Sequence, residues 1–306
     1  MRMLTYTVTP ADEGRAIRSV VPRRFQLGAH AFRRLKVQGG VRVNGEPARA
    51  NRILHAGEVV TLLLPCDEIL PGDETVPCDA AALGEEALPP SFIRYLDEDM
   101  LVAAKGAPLA TLPSAHIRTG TLREQLIALL GADAQTFHYH PVNRLDKGTS
   151  GLLVIARHAH AQRLLTAQLH SDAFLREYLA VTQGVPAQDS GIIDAPIARL
   201  GAGAARCVDP HGRRAVTHYR VEAVHDGRAL LRLRLETGRT HQIRVHLASI
   251  GCPIVGDYLY GTEDPALPGR FALHSAHLCC TQPITGARIE LHEPLPPELA
   301  ALLSAP

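Results

Sequence analysis

The chain has 306 residues, 46% hydrophobic and 21% charged, with a net charge of +1. That balance excludes a disordered or fibrous chain and suits one large domain or two unequal ones. No apolar run approaches the roughly eighteen residues of a membrane span, and the N-terminal MRMLTYTVTPADEG lacks the apolar core of a signal peptide, so a cytoplasmic protein is expected.

Charge is unevenly distributed. Residues 1–66 hold eleven Arg/Lys against four Asp/Glu, residues 67–90 hold seven acids and no base, and the remainder is nearly neutral. The pattern predicts a small basic domain (1–66), an acidic spacer (67–90) and a larger neutral domain (91–306). In the first block, Gly14 to Val20 and Gly28 to Gln38 have helical spacing, and Gly39-Gly40 stops the second helix. VRVNGEPA carries the Asn-Gly turn of a hairpin, and ILHAGEVVTLLL supplies a final strand. The segments AFRRLKVQGG, GGVRVNGE and AGEVV, within residues 13–64, resemble the RNA-binding αL domain first known from ribosomal protein S-four. That resemblance implies an RNA-facing surface around Arg33, Arg34, Lys36 and Arg42. Residues 67–90 contain Pro71, Pro77, Pro89 and Pro90 within the acidic run and read as a linker.

Strand and helix patterns resume at Ile93. In YHPVNRLDKGTSGLLVIARHAHAQRLLTAQLH, LLVIA reads as a buried strand and the segment after it as a helix. The polar run Asn143 to Ser150 is then a loop entering a strand. Asp146 lies there between Arg144 and Lys147, with Gly148 and Gly151 permitting close backbone approach. Flanking cations suit an ionised aspartate, although Asp-Lys-Gly is also ordinary turn chemistry. In LETGRTHQIRVHLASIGCPIVGDYLYG, Thr240 is placed to cap a helix on which Ile243, Leu247 and Ile250 share a face, with Gly251 ending it. Arg239 precedes that helix and Arg244 lies one turn inside it, where arginines are often simply solvated.

Together these stretches resemble the RluA-type pseudouridine synthase family, with RLDKGTSG at 144–151, TGRTHQIRVH at 237–246 and GCPIVGD at 251–257. REYLAVTQG, which contains Tyr178, and FALHSAHL match further family strands. The resemblance implies an α+β fold whose catalytic domain is built on a largely antiparallel bent sheet. It implies Asp146 as the essential carboxylate, Arg144 filling the gap left by an extruded uridine, and Tyr178 stacked on the flipped base. Arg244 would pair with Asp146 through a forked grip, and Arg239 would meet substrate. It further implies ribosomal or transfer RNA as partner, no cofactor, no metal and a monomer. The chain departs from the family pattern at Asn143, at Gly106 after Lys105, at Arg176 and at Gln282-Pro283.

Two alternatives stand beside this one: a non-catalytic RNA-binding protein or chaperone, which would have lost the Asp, Tyr or Arg, and a base-excising glycosylase, which would release free uracil. The pairs His138/His140 and His158/His160 lack a completing carboxylate or cysteine and are not expected to hold metal. The six cysteines (Cys66, Cys78, Cys207, Cys252, Cys279, Cys280) form no CxxC pair and are expected to be reduced thiols.

Overall fold

The computed structural model describes residues 2–64, 89–113, 117–133, 137–169, 171–201 and 203–304. The expected acidic linker lies almost wholly outside the described residues, as do Cys66 and Cys78. Two compact units occur, one within residues 1–75 together with 158–160, and one formed by residues 76–157 and 161–306.

The first unit contains β1 (Arg2–Thr7), α1 (Ile17–Arg24), α2 (Ala29–Val37), β2 (Val41–Val43), β3 (Glu46–Pro47) and β4 (Val59–Leu64). Its antiparallel sheet has the order β1-β4-β2-β3. Asn44 and Gly45, with φ of 50° and 86°, turn β2 into β3, because both tolerate the left-handed conformation that a tight hairpin needs. The first helix begins at Ile17, later than the expected Gly14. Gly14 has φ +73° and bonds through its N–H to Leu54, so it forms the turn before the helix. β1, which the sequence patterns did not indicate, pairs along its whole length with β4. Phe32 and Leu35 turn α2 inward, and Asp12, buried at 4% exposure, accepts from Tyr6 and Arg24.

The second unit carries ten strands in one sheet: β5 (Ile93–Leu96), β6 (Met100–Lys105), β7 (His140–Pro141), β8 (Ser150–Ala156), β9 (Leu175–Gln183), β10 (Ser190–Asp194), β13 (Val216–His225), β14 (Arg228–Leu235), β15 (Leu273–Thr281) and β16 (Arg288–His292). A separate two-stranded sheet pairs β11 (Ile197–Arg199) with β12 (Arg206–Val208). The helices are α3 (Leu122–Leu130), α4 (Ala159–Gln168), α5 (Gln242–Ser249) and α6 (Pro297–Ala300). The main path runs β10-β13-β14-β9-β15-β8-β6-β5, with β16 added to β15 and β7 to β8. Its pairings are antiparallel apart from β15 with β8, so the expected α+β class with a largely antiparallel sheet is observed.

β8 is buried at all seven positions. Leu153 and Ile155 enter one apolar cluster, Leu152, Val154 and Ala156 another. Strand side chains alternate between faces, so a continuous apolar run is what a strand covered on both faces requires.

The parallel seam of β8 and β15 places the later chemistry. Tyr178 of β9, Ser275 of β15 and Gly151 of β8 stand opposite one another across three strands. Gly151 has φ +106°, and a Cβ there would lie 2.2 Å from the Ser275 carbonyl oxygen. No side chain fits this seam. Gly151→Ala is therefore expected to destabilise the protein by about 2–5 kcal/mol through combined backbone strain and overlap, read as a fall in the denaturant midpoint. An unchanged midpoint would mean that the two strands part freely to admit a methyl group.

Candidate active site

The loop from Asn143 to Thr149 is held by its backbone. Thr111 donates through Oγ1 to Leu145 O at 2.8 Å, and the Leu109 N–H donates to Lys147 O at 3.0 Å. Lys105, at the end of β6, donates through Nζ to Gly106 O and Leu109 O at 2.8 Å each and to Lys147 O at 3.3 Å. Burial pushes the Lys105 ammonium down to about 7, against the opposing pull of the Asp146 charge. The carbonyls on either side of Asp146 are thus fixed while its side chain keeps 31% exposure.

Arg244 meets Asp146 from α5. Its guanidinium is 2% exposed and donates through Nη1 to Asp146 Oδ2 at 3.2 Å. The forked grip expected on Asp146 goes instead to Asp257, with Nε to Oδ2 at 2.7 Å and Nη2 to Oδ1 at 2.8 Å. Asp257 is fully buried. A buried carboxylate needs a counter-charge with satisfied hydrogen bonds, and the two parallel N–H bonds of one guanidinium edge supply both. Burial opposes the charge of Arg244, yet the Asp257 and Asp146 carboxylates more than offset this and raise its pKa. The ring of Phe271 lies 4.2 Å from the guanidinium carbon. That ring also packs on Gly148, where a Cβ would come within 2.7 Å of it. One aromatic ring therefore spaces the Asp146 loop from α5.

The start of α5 differs from expectation. His241, with φ +58°, occupies the N-cap position expected for Thr240. No side chain caps the helix; the Gln242 side chain instead holds the preceding turn, its Oε1 accepting from the Arg239 N–H at 3.0 Å and from the Thr237 hydroxyl at 2.8 Å. Ile243 and Leu247 are buried as expected, but Ile250 is 38% exposed because the helix ends at Ser249. His241 turns its Nε2 toward Asp146 Oδ2 at 3.9 Å. Burial lowers its pKa, favouring the neutral ring. Tyr260 OH accepts from the Arg206 N–H and bonds His241 Nδ1, both at 2.8 Å.

Tyr178 is 5% exposed inside the main apolar cluster. Burial raises its pKa, and the nearby charge of Asp146 acts in the same direction. Arg144 and Arg239 do not touch the Asp146 carboxylate in this structure. Both line a neighbouring cleft of about 490 Å³. Arg33, Arg34 and Lys36 lie on α2 of the first unit, Arg33 and Lys36 exposed, and Arg42 is half-buried on β2. Asp257, His241, Tyr260 and Phe271 were not singled out from the sequence. The signal for Asp257 was present as the last residue of GCPIVGD.

Among the described residues, His277, Glu290 and His292 form a group with metal-ligand atoms close together. The His277 and His292 rings stack at 4.1 Å and 6°. Their in-plane lone pairs therefore run side by side and do not converge on one ion. The four described cysteines are free, and no helix among the described residues is long and apolar enough to cross a membrane.

The family model described as RNA pseudouridylate synthase matches residues 99–249. A Bacillus subtilis protein named as the uncharacterized RNA pseudouridine synthase YjbO is 34% identical over 87% of this chain and 90% of its own length. The chain belongs to the RNA pseudouridine synthase family. Ribosomal large subunit pseudouridine synthase D of Pasteurella multocida is 36% identical over 88% of this chain and 83% of its own. The solved human RNA pseudouridylate synthase domain containing 1 superposes with a TM-score of 0.56 at 26% identity, covering 69% of this chain and 87% of that one.

The geometry makes Arg244 serve two carboxylates at once in this synthase. Arg244→Ala should cost about 3–5 kcal/mol by stranding buried Asp257. Arg244→Lys should recover part of that stability yet remain nearly as slow in forming pseudouridine, because a point-charge ammonium cannot hold Asp257 by a fork and reach Asp146 as well. Denaturation midpoints and turnover measured on both variants separate the two effects. A Lys variant at full rate would show that the shared guanidinium is dispensable.

Proposed function

We propose that this synthase isomerises uridine to pseudouridine in ribosomal large-subunit RNA, with Asp146 as the group that acts on the ribose. The reading is carried by the placement of Asp146: a partly exposed carboxylate on a backbone-clamped loop, bonded to a buried guanidinium at 3.2 Å. The reaction breaks the bond from ribose C1′ to N1 of uracil, turns the base, and joins C1′ to C5, which gives up its proton while N1 takes one up. Nothing is added or lost overall. A stacked base cannot be turned, so the uridine must first leave its helix, at a cost of a few kcal/mol.

Arg144, exposed two residues before Asp146, is suited to fill the vacated stack, since a flat guanidinium both stacks and hydrogen-bonds. Tyr178 provides an apolar face for the flipped base. Arg244 aims the carboxylate, and Arg239 contacts the strand. Residues 1–66 act as an RNA-anchoring domain through Arg33, Arg34, Lys36 and Arg42, residues 67–90 as a linker, and residues 91–306 as the catalytic domain. In the same reading the enzyme is a cytoplasmic, metal-independent monomer. The preference for large-subunit RNA is supported by the name of the synthase D relative.

Asp146→Asn should fold normally and still bind RNA while forming pseudouridine at less than about a thousandth of the wild-type rate. Pseudouridine mapping on ribosomal RNA from cells carrying either form provides the test. Retained modification would remove Asp146 from the chemistry, and modification confined to transfer RNA would reassign the substrate. For the N-terminal domain, Arg33→Gln combined with Lys36→Gln should reduce the log–log salt slope of structured-RNA binding by roughly 0.7–0.9 per lost phosphate contact. An identical slope would mean that α2 does not meet the RNA backbone.

A further inference from the structure

Asn44 and Asp226 stand before glycines in hairpin turns, where a left-handed backbone belongs to the connection itself. His241, with φ +58°, stands instead at the entry to α5, a position whose residue is ordinarily extended. A backbone held in this region persists where its surroundings fix it, and the His241 side chain is held. Its Nδ1 lies 2.8 Å from the Tyr260 hydroxyl, and the two rings meet edge to face at 5.7 Å and 76°. The other ring nitrogen, Nε2, lies 3.9 Å from Asp146 Oδ2.

Tyr260 is in turn fixed by the carboxylate that grips Arg244. Asp257 Oδ1 accepts from the Leu259 N–H at 3.0 Å and from the Tyr260 N–H at 3.3 Å. The Tyr260 ring lies 5.0 Å from the Arg244 guanidinium carbon. Two arms therefore run from Asp257 to the same oxygen of Asp146, one through Arg244 and the other through Tyr260 and His241. Among the described residues, no hydrogen bond is made to Asp146 Oδ1. A carboxylate held by one donor can still turn about its Cβ–Cγ bond, where the torsional well is broad. A second donor converging on the same oxygen restricts that turn.

We propose that His241 is a positioning residue for the reaction: it donates from Nε2 to Asp146 Oδ2 as the uridine is engaged, and with Arg244 it presents Oδ1 to the ribose. The inference rests on the reading of Asp146 as the group that acts on the ribose. An ionised carboxylate only accepts hydrogen bonds, so the contact needs the hydrogen of the neutral ring on Nε2 and leaves Nδ1 to accept from Tyr260. Burial favours the neutral ring; Arg244 and Arg206 act with it, and Asp146 and Asp257 against it. A neutral donor steadies the carboxylate without cancelling its charge, as a second cation would. The 3.9 Å separation is longer than a hydrogen bond and closes in the complex with RNA, as catalytic contacts commonly do.

Glutamine places its amide nitrogen where histidine has Nε2, and asparagine places one where histidine has Nδ1. His241→Gln therefore keeps the donor that faces Asp146. His241→Asn keeps the contact with Tyr260 and suits the left-handed backbone better. Both are assayed on RNA from cells lacking the enzyme, labelled with tritium at uracil C5, by the tritium released. His241→Asn should lower kcat by roughly 100-fold with KM nearly unchanged, as loss of an interaction made in the transition state does. His241→Gln should keep most of the wild-type kcat. A merely structural role gives the reverse order, since asparagine fits the turn and glutamine does not. An Asn variant at the wild-type kcat, or a Gln variant as slow as the Asn variant, would overturn the assignment. Asp146→Asn tests the underlying reading separately: tritium release by that variant removes Asp146 from the chemistry, whereas its inactivity beside wild-type rates in both His241 variants removes His241 alone.

Discussion

The Arg244 guanidinium is the constraint on which the site depends. It is buried and spans two carboxylates of unequal situation, Asp257 fully enclosed and Asp146 partly exposed. Desolvating a cation is expensive unless each N–H finds an acceptor. The fork to Asp257 meets most of that requirement within the fold, and the remaining Nη1 is directed at Asp146. The enclosed and the partly exposed carboxylate are therefore different residues sharing one counter-ion. Phe271 closes the arrangement by resting on the guanidinium and on Gly148, so the Asp146 loop and α5 meet at one ring.

Around this triad the protein fixes backbone and leaves one side chain free. Leu145 O and Lys147 O are taken by Thr111, Leu109 and Lys105, which leaves the Asp146 loop little room to adjust. The row Tyr178, Ser275, Gly151 sets the height of the loop relative to β9. A reaction that must turn a base between breaking and making bonds benefits from such rigidity, because groups already in place need not reorganise in the transition state. Lys105 illustrates the cost: its ammonium is buried against carbonyls and pushed down to about 7.

The electrostatics divide into two roles. Close to the carboxylate, charges are paired and satisfied. In the adjoining cleft five arginines stand without an acidic residue. The paired region holds geometry, and the arginine-lined cleft is suited to a partner that brings its own negative charge. The basic helix α2 of the first unit adds exposed cations of the same sign.

Much of this was legible in the sequence. LLVIA had to be a strand covered on both faces, the Asn-Gly turn had to be a hairpin, and the long motifs placed Asp146, Tyr178 and Arg244 in one family site. Those features are local, or are carried by residue order, so one dimension suffices to read them. The N-terminal strand β1 escaped because its partner β4 lies more than fifty residues away and its own pattern is weak. Thr240 looked like the cap because it has the right side chain, whereas the left-handed turn at His241 moves the cap position there, and Gln242 braces the turn by reaching back to the Arg239 N–H. The sequence by itself pointed to Asp146, Tyr178 and Arg244, but not to Asp257, His241, Tyr260 or Phe271 around them. Only the tertiary structure decided that Arg244 forks to Asp257 and gives Asp146 a single bond, since two carboxylates ~110 residues apart compete for one guanidinium through geometry and burial, neither of which is written in residue order.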